Sequence, residues 1–376
     1  MTTLVILGAS ATALAVVRSG HDAGLRTIVL DTERSDAAHS RYAEFQPLRS
    51  DHPAEVLDTL LTLSLDGPAA LLAESDVWLR FLHQHRDRLA ERFEILHADA
   101  ASLGLCLDKE AFHEWCDRNA IPTPRRYDVA DSAEAIPFPV VVRPRITCHH
   151  RSREVPKAVE VRSPDELAAV LERFRRAAVE PVIAESLLRS SIRCYSVGLA
   201  RRRDGEIESL VAERVRPAPR HCAAGTYVAL APQKRVQELA ETIARRLDLY
   251  GLAEIEILHD DRTGELFAIE VNPRPWLQFA LADRSGHHLL AFLLGRPTRK
   301  PRRRRERGVA WIDIPADLHC CFSRKKGALW NGDVTLARYL ASMLQLHQHP
   351  RLSWRDPRPI IESLKSFWAP WARRSK

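Results

Sequence analysis

The order of hydrophobic and polar positions predicts alternating strands and helices from the start of the chain. A strand, a tight turn, a helix and a second strand follow one another at Thr3 to Leu7, Gly8-Ala9-Ser10, Ala11 to Gly20 and Leu25 to Leu30. The turn has one glycine where a dinucleotide-binding turn has three, so we expect a nucleotide-type fold that holds no nicotinamide or flavin. Similar patterns continue to about residue 105 and predict an α/β domain there.

A second unit begins after residue 105, where strands and helices no longer alternate evenly. Asp108 is placed to cap one helix, and Ser163 starts another with a capping box that Glu166 completes. Between them, Val140 to Val142 is a short apolar strand that leads directly to Arg143. Further strand pairs and an amphipathic helix follow to about residue 298, which predicts an α+β body.

The most polar strand pair lies in the sequence GLAEIEIL…ELFAIEVNPRPW. Side chains alternate between the two faces of a strand, so Glu254 and Glu256 share one face of the first strand. Glu270 and Asn272 share one face of the second strand by the same rule. With the turn centred near Thr263, Glu256 lies opposite Glu270, with about 5 Å between the Cβ atoms. Opposed carboxylates repel each other, so we expect a cation between them.

Oxygen donors in this arrangement favour a hard divalent metal ion. We predict that Glu256, Glu270 and Asn272 bind Mg²⁺ or Mn²⁺, because magnesium is usually held by one or two carboxylates together with substrate phosphates. Arg274 is expected to bind phosphate or acyl-phosphate oxygens with its planar guanidinium. The alternative is an exposed edge hairpin whose charged face points to water, which would leave the second acidic strand, the arginine and its two flanking prolines unexplained.

Residues from about 105 to 295 resemble an ATP-grasp domain. The acidic strand followed by Glu-x-Asn-x-Arg is similar to the metal-binding signature of that superfamily. LDK resembles its entry helix and FPVVVRP its strand ending in Lys-Pro, which implies that Lys109 and Arg143 contact the phosphates of ATP. VIAESLL resembles its hinge, which implies that Glu185 and Leu187 meet the adenine.

The resemblance also implies a domain organisation. Residues 1–105 would form a Rossmann-like pre-ATP-grasp domain, and residues 106–298 an ATP-grasp fold. Its ATP-binding subdomain would cover about 106–185, and its metal-binding, catalytic subdomain about 186–298. Residues 299–376 would then be a basic linker and a Trp-rich C-terminal extension.

The reaction that the resemblance implies is a carboxylate-amine ligation, as in D-aspartate ligase and carbamoyl-phosphate-synthase-like members. ATP phosphorylates a small-molecule carboxylate, and an amine then displaces the phosphate to form an amide. The residues implied in catalysis are Arg274, Arg214 and Arg216, with one of the last two clamping the substrate carboxylate. Trp276 and Gln278 would line the same cavity.

Two departures from the family pattern leave a second hypothesis open. Arg143 stands where a lysine is expected, and the loop ITCHHRSREVP after it has no glycine. Charged side chains would have to replace backbone amides around the phosphates, and the candidates are Arg145, His149, His150, Arg151, Arg153 and Lys157. The alternative function is that of a degenerate ATP-grasp protein, which binds ATP in a regulatory or scaffolding role.

Composition and charge exclude few function classes. The 376-residue chain has a net charge of +7 at pH 7, and 48 of its 56 basic residues are arginine. In so arginine-rich a chain, we interpret the tract RKPRRRRERG as a solvated linker and expect no nucleic-acid partner. The seven scattered cysteines predict reduced thiols.

The two ends of the chain bear on its location. The start MTTLVILGAS does not resemble a leader, and no apolar run is long enough to span a membrane, so we expect a cytoplasmic protein. Five tryptophans from residue 311 onward and the basic end SLKSFWAPWARRSK leave open a peripheral membrane contact through the C-terminal tail. Packing of these rings on the protein body is the favoured alternative. The oligomeric state stays open.

Overall fold

The structure, a computed structural model, describes residues 2–129, 135–146, 154–187, 191–217, 225–299, 301–323, 327–329 and 334–365. The predicted basic loop residues His149, His150, Arg151 and Arg153 lie outside this part, as does the end of the C-terminal tail, 366–376. In the part described, the chain forms three sheets covered by helices, so the mixed α/β architecture is confirmed.

The first sheet is parallel, and its strand order is β3-β2-β1-β4-β5. Its strands are β1 (Thr3–Leu7), β2 (Arg26–Asp31), β3 (Glu44–Pro47), β4 (Ala69–Ala73) and β5 (Glu94–Ile95). The helices of this region are α1 (Ala11–Asp22), α2 (Pro53–Thr62), α3 (Asp76–Gln84), α4 (Arg86–Ala90) and α5 (Ala100–Leu107), with a 3₁₀ turn at Asp36–His39. The central strands β1 and β4 are buried along their whole length, as expected of parallel strands covered by helices on both faces.

The second sheet is small and has the order β6-β9-β7-β8. Its region contains α6 (Lys109–Arg118), β6 (Arg126–Tyr127), β7 (Val140–Pro144), β8 (Val159–Val161), α7 (Pro164–Arg176) and β9 (Pro181–Glu185). Both predicted helix starts are confirmed. The Asp108 carboxylate accepts the N–H of Glu110 at 3.0 Å, and the Ser163 hydroxyl accepts that of Glu166 at 3.3 Å.

The third sheet is the largest and has the order β14-β13-β10-β11-β12-β15-β16. Its elements are β10 (Ile192–Arg201), β11 (Ile207–Pro217), β12 (Gly225–Leu230), α8 (Lys234–Arg246), β13 (Gly251–Asp260), β14 (Leu266–Asn272), α9 (Ala280–Ser285), α10 (Leu289–Leu293), β15 (Val309–Ile312), α11 (Ile314–Phe322), α12 (Leu336–Ser342) and β16 (Leu346–Gln348). Helix α8 buries its apolar stripe in the same core as Ile255 and Ile257 of β13. The opposite face of β13 is therefore the one that carries its glutamates.

The C-terminal region contacts the rest of the protein through both strands and side chains. Strands β15 and β16 extend the third sheet, which the sequence did not predict. Beyond β16, Asp356 is fully buried against α1 and the segment that follows the 3₁₀ turn. Its carboxylate accepts from the Nε of Arg18 at 3.1 Å, from the hydroxyl of Ser40 at 2.8 Å and from the N–H of Arg41 at 3.0 Å.

Two whole-chain expectations concern cysteines and membrane spans. Among the described residues, Cys106, Cys116, Cys194 and Cys321 are free thiols. Among the helices described, none combines the length and apolarity that crossing a bilayer requires.

Candidate active site

The polar face of the β13–β14 hairpin has the predicted register. Glu256 is paired with Glu270, and Glu254 with Asn272. The next pair joins Ile257 to Ala268, so one extra residue bulges from β14 just before Glu270. The apolar residues of β13 point the other way into the core, and the Glu256–Glu270 and Glu254–Asn272 pairs are left on one face.

An arginine from β11 reaches across β10 to these carboxylates. The guanidinium of Arg214 bonds both carboxylate oxygens of Glu256, one of them at 2.9 Å, and lies 3.5 Å from Glu254. Glu254 also accepts from the hydroxyl of Ser196 and from the amide of Asn272, the latter at 3.2 Å. Arg214 thus brings a positive charge to the two carboxylates of β13.

Two further cations approach the hairpin from the second sheet and its entry helix. Arg143, at the end of β7, lies 3.3 Å from a carboxylate oxygen of Glu270. Lys109, the first residue of α6, is 7% exposed, and its strongest attractive partner is Glu270. The structure therefore brings together six of the predicted site residues: Lys109, Arg143, Arg214, Glu256, Glu270 and Asn272.

The pKa values of the paired carboxylates Glu256 and Glu270 shift in opposite directions. Burial raises the pKa of Glu256 above its usual value, although Arg214 opposes the shift. For Glu270, burial is outweighed by Lys109 and Arg143, which hold the pKa below its usual value. Desolvation lowers the pKa of the Lys109 ammonium for the same reason that it disfavours any buried charge. The hairpin therefore offers one firmly ionised carboxylate and one that is costly to ionise without a further cation.

Arg274 lies where the end of β14 meets α3. Its Nε donates to the carboxylate of Asp76, the first residue of α3, at 2.5 Å, and Nη1 donates to the carbonyl of Pro275 at 3.1 Å. The predicted contact of Arg274 is with phosphate, and the partner that the structure shows is this aspartate. The pair fixes the end of β14 against α3, and the sequence did not predict it.

A buried histidine makes a second link at the same junction. His97 is fully buried, and its Nε2 accepts the N–H of Ala73 at 2.8 Å. Its Nδ1 donates to the carbonyl of Pro273 at 3.0 Å, so the ring is the neutral Nδ1–H tautomer. Burial lowers the pKa of His97 to about 4. No sequence signal distinguishes this histidine from the other 15.

The structure does not bring Arg216 to the hairpin. Strand β11 changes register against β12 between Arg214 and Arg216, and this bulge turns the second arginine to the other face of the sheet. There, Arg216 is 3% exposed and bonds both oxygens of Asp317 in α11, at 2.7 and 2.9 Å. Its guanidinium also stacks 3.9 Å from the ring centre of Tyr227. Arg216 therefore joins the C-terminal helices to the third sheet.

The remaining predicted residues lie around this centre. Glu185 ends β9, where its carboxylate accepts the N–H of Arg125 at 2.9 Å, and Leu187 is buried just beyond it. Trp276 is buried directly over Gly198 of β10, where even a Cβ would overlap the indole ring. Gln278 is buried and donates to the carbonyl of Gly225 at 3.4 Å.

Arg145, proposed to contact phosphate, has three acidic partners in the structure. It lies 2.8 Å from Asp108, 3.0 Å from Glu110 and 3.1 Å from Glu180. Lys157 is exposed.

The side chains of the hairpin include the oxygen donors that a divalent metal needs. Glu254, Glu256 and Glu270 supply oxygens that Mg²⁺ prefers, together with the amide of Asn272. As arranged here the carboxylates face arginines, and within the described ranges no three His, Cys, Asp or Glu side chains are gathered as metal ligands. The chemistry of the donors fits the ion. For Glu256 to hold it, the hydrogen bonds between Arg214 and Glu256 would have to break.

Comparison with known proteins gives relatives of one kind. No family model matches the chain. It is 26% identical over 282 residues to the carbamoyl phosphate synthase large chain of Halobacterium salinarum, covering 69% of this chain and 26% of that one. It is 19% identical over 280 residues to the D-aspartate ligase of Enterococcus faecium, covering 68% and 66%. The chain thus spans only about a quarter of the first relative.

Solved structures agree with these relatives. An ADP complex of N5-carboxyaminoimidazole ribonucleotide synthetase superposes with a TM-score of 0.64 at 15% identity, over 80% of this chain and 78% of that one. A biotin carboxylase from Campylobacter jejuni, in an ATP complex, superposes with a TM-score of 0.61 at 14% identity, over 79% and 72%. The relatives and the structures all point to the ATP-grasp superfamily, which confirms the resemblance read from the motifs.

Proposed function

We propose that this ATP-grasp chain is a Mg²⁺- and ATP-dependent ligase that activates a substrate carboxylate as an acyl phosphate and joins it to an amine. The observation that carries the proposal is the buried hairpin cluster, in which Glu256, Glu270 and Asn272 face Lys109 and Arg143 from the neighbouring subdomain. Phosphoryl transfer depends on positioning and on neutralising charge, and oxygen donors facing fixed cations provide both.

Each part of the cluster has a role in this proposal. Glu256, Glu270 and Asn272 would hold Mg²⁺, or Mn²⁺, which would neutralise the phosphate oxygens as charge moves during transfer. Lys109 and Arg143 would bind phosphate oxygens from the opposite side. Glu185 and Leu187 would meet the adenine, as the family resemblance implies.

Arg214 would change partners during binding. Glu256 would be one of the residues that hold the divalent ion, and the guanidinium of Arg214, which bonds this carboxylate here, would bind the carboxylate of the substrate in the same planar geometry. Arg274 remains in the proposal as a phosphate ligand, with Asp76 fixing its position. Arg216 is left out because its charge is already balanced by Asp317.

We propose the domain limits that the resemblance implies: 1–105, 106–298 with its two subdomains, and 299–376. The partners would be a small-molecule carboxylate and an amine, and the site of action the cytoplasm, where ATP is available. The names of the relatives do not fix either substrate for this chain.

ADP release in the presence of mixed carboxylate and amine pools, with mass-shift detection of the product, tests this function. Glu270→Ala should abolish product formation, because the firmly ionised ligand of the cluster is lost. Glu265→Ala is the matched control, since this exposed glutamate lies at the turn end of the same hairpin. Nucleotide binding without ADP release under any pool would favour the degenerate, regulatory function instead, and an active Glu270→Ala protein would rule out the metal assignment.

A further inference from the structure

The two C-terminal helices expose large apolar side chains in regular stripes. In each stripe the residues are four apart, so they lie on one face of the helix. We name the six residues the apolar ridge: Ile314, Leu318 and Phe322 along α11, and Leu336, Leu340 and Leu344 along and just beyond α12. Their exposed fractions run from 43% for Ile314 to 88% for Leu344. Single exposed hydrophobics are ordinary, but two aligned stripes mark a binding surface.

The ridge is fixed to the body of the protein. Phe322 of α11 and the buried Tyr339 of α12 meet edge to face with ring centres 5.3 Å apart, so the two helices contact each other. On the inner side of α11, Asp317 is fully buried and bonded to Arg216. On the inner side of α12, the Ser342 hydroxyl accepts from Arg216 at 3.0 Å. The outward face is therefore not a loosely attached segment waiting to fold back.

The two helices expose one arginine and no acidic side chain. None of the exposed side chains of Ile314–Phe322 and Leu336–Ser342 is acidic, while Arg338 is exposed between Leu336 and Leu340. The sequence from 299 to 376 contains 18 Lys and Arg and six Asp and Glu, although the whole chain carries a net charge of only +7. Residues 1–298 therefore carry a net negative charge, and residues 299–376 are strongly cationic.

We propose that the apolar ridge is a docking surface for an anionic membrane. Large apolar side chains with basic neighbours are the combination that inserts at the headgroup boundary and is held there by acidic lipids. Two fixed helices can enter the interface together and lie parallel to it without crossing the bilayer. This would place the ligase at the membrane surface in a reversible manner.

Charge argues against the two other ways of covering the ridge. A second copy docked through the same face would bring two cationic segments together, and like charges disfavour that contact. The end of this chain, residues 366–376, contains two arginines, a lysine and no acidic residue, so placing it on the ridge would add positive charge. An anionic lipid surface is the occupant that lowers this charge.

Co-sedimentation of the full chain with vesicles tests the proposal. We expect binding to vesicles of phosphatidylcholine with phosphatidylglycerol and weak binding to phosphatidylcholine alone. Leu336→Glu/Leu340→Glu should weaken binding by at least about tenfold, because both apolar contacts are lost and negative charge faces the lipid. Leu336→Gln/Leu340→Gln should also weaken it, which separates the apolar contribution from added charge. Val129→Glu, an exposed apolar residue elsewhere, is the control and should bind normally.

Three outcomes would overturn the proposal. The first is unchanged vesicle binding by the Glu double variant while it keeps the wild-type melting temperature. The second is loss of binding only in Trp368→Ser/Trp371→Ser, which would move the contact to the tail. The third is a wild-type dimer, seen by light scattering without lipid, that the Leu336 and Leu340 substitutions convert to a monomer. Ligase turnover is not needed for any of these measurements.

Discussion

Arg214 and Arg216 stand two residues apart on β11, yet they belong to buried ion clusters of different character. Arg216 meets one aspartate, bonds both of its oxygens, and that aspartate also accepts from Thr226 at 2.9 Å. Arg214 faces two glutamates, and its Nε has no hydrogen-bond partner among the described residues. The first cluster is closed and needs no ligand. The second keeps spare hydrogen-bonding capacity, as expected of a site that exchanges partners.

Replacing a carboxylate in the open cluster should affect turnover most. Glu256→Gln removes one ligand of the proposed metal, so we expect turnover to fall by at least about 10³-fold. Glu254 still lies 3.5 Å from Arg214 in this variant, so the free energy of unfolding should fall by less than it does when Arg216 loses Asp317. Steady-state ADP release and urea denaturation measure the two effects. A large loss of stability together with retained turnover would reverse the assignment of the clusters.

The closed cluster should respond in the opposite way. Asp317→Asn leaves the buried Arg216 without its counter-charge, which should lower the free energy of unfolding by about 3 kcal/mol. Turnover per folded molecule should stay close to that of the wild type below the melting transition. Asp248→Asn is the matched control, since this aspartate pairs with Arg201 but is 75% exposed, and its loss should cost less than about 1 kcal/mol. Equal destabilisation by both variants would contradict the closed-cluster interpretation.

The smallest expected effect concerns His97, which bonds the carbonyl of Pro273 just beyond the end of β14. His97→Gln should cost about 2 kcal/mol at pH 7, because the N–H of Ala73 and the carbonyl of Pro273 lose a well-placed partner. The folded-state pKa of about 4 lies below the usual 6.5, so the unfolded chain binds more protons between these values. This contribution is complete above pH 6.5 and is lost as the pH falls towards 4. Urea denaturation across that range should show the variant and the wild type converging, and a constant difference would exclude a neutral buried imidazole.

Local patterns in the sequence predict the centre of the site but not its surroundings. Alternation of polar and apolar residues was enough to pair Glu256 with Glu270, because a strand has only two faces and one must enter the core. The helix starts at Asp108 and Ser163 were readable because a cap depends on neighbours a few residues away. Interactions of this short range depend on residues that are close in the sequence, so they can be predicted from it.

Long-range partners were not readable in the same way. The pairs Arg274–Asp76 and Arg216–Asp317 join residues 198 and 101 positions apart, and no pattern links such positions in a single sequence. The bulge that separates Arg214 from Arg216 depends on the register against β12, which is set by the whole sheet. For the same reason the sequence treated the two arginines as alternatives for one role.

The buried contacts of Asp356 can form only late in the synthesis of the chain. Arg18 and Ser40 are synthesised more than 300 residues before the carboxylate that satisfies them. At about 5 to 20 residues per second, a ribosome takes roughly 15 to 60 s to make that intervening stretch. During this interval Arg18 of α1 and Ser40 lack the carboxylate that they bond in the folded protein. The region that is made first is therefore among the last to be completed, and a released chain that ends before residue 356 should be a better chaperone substrate than the full chain.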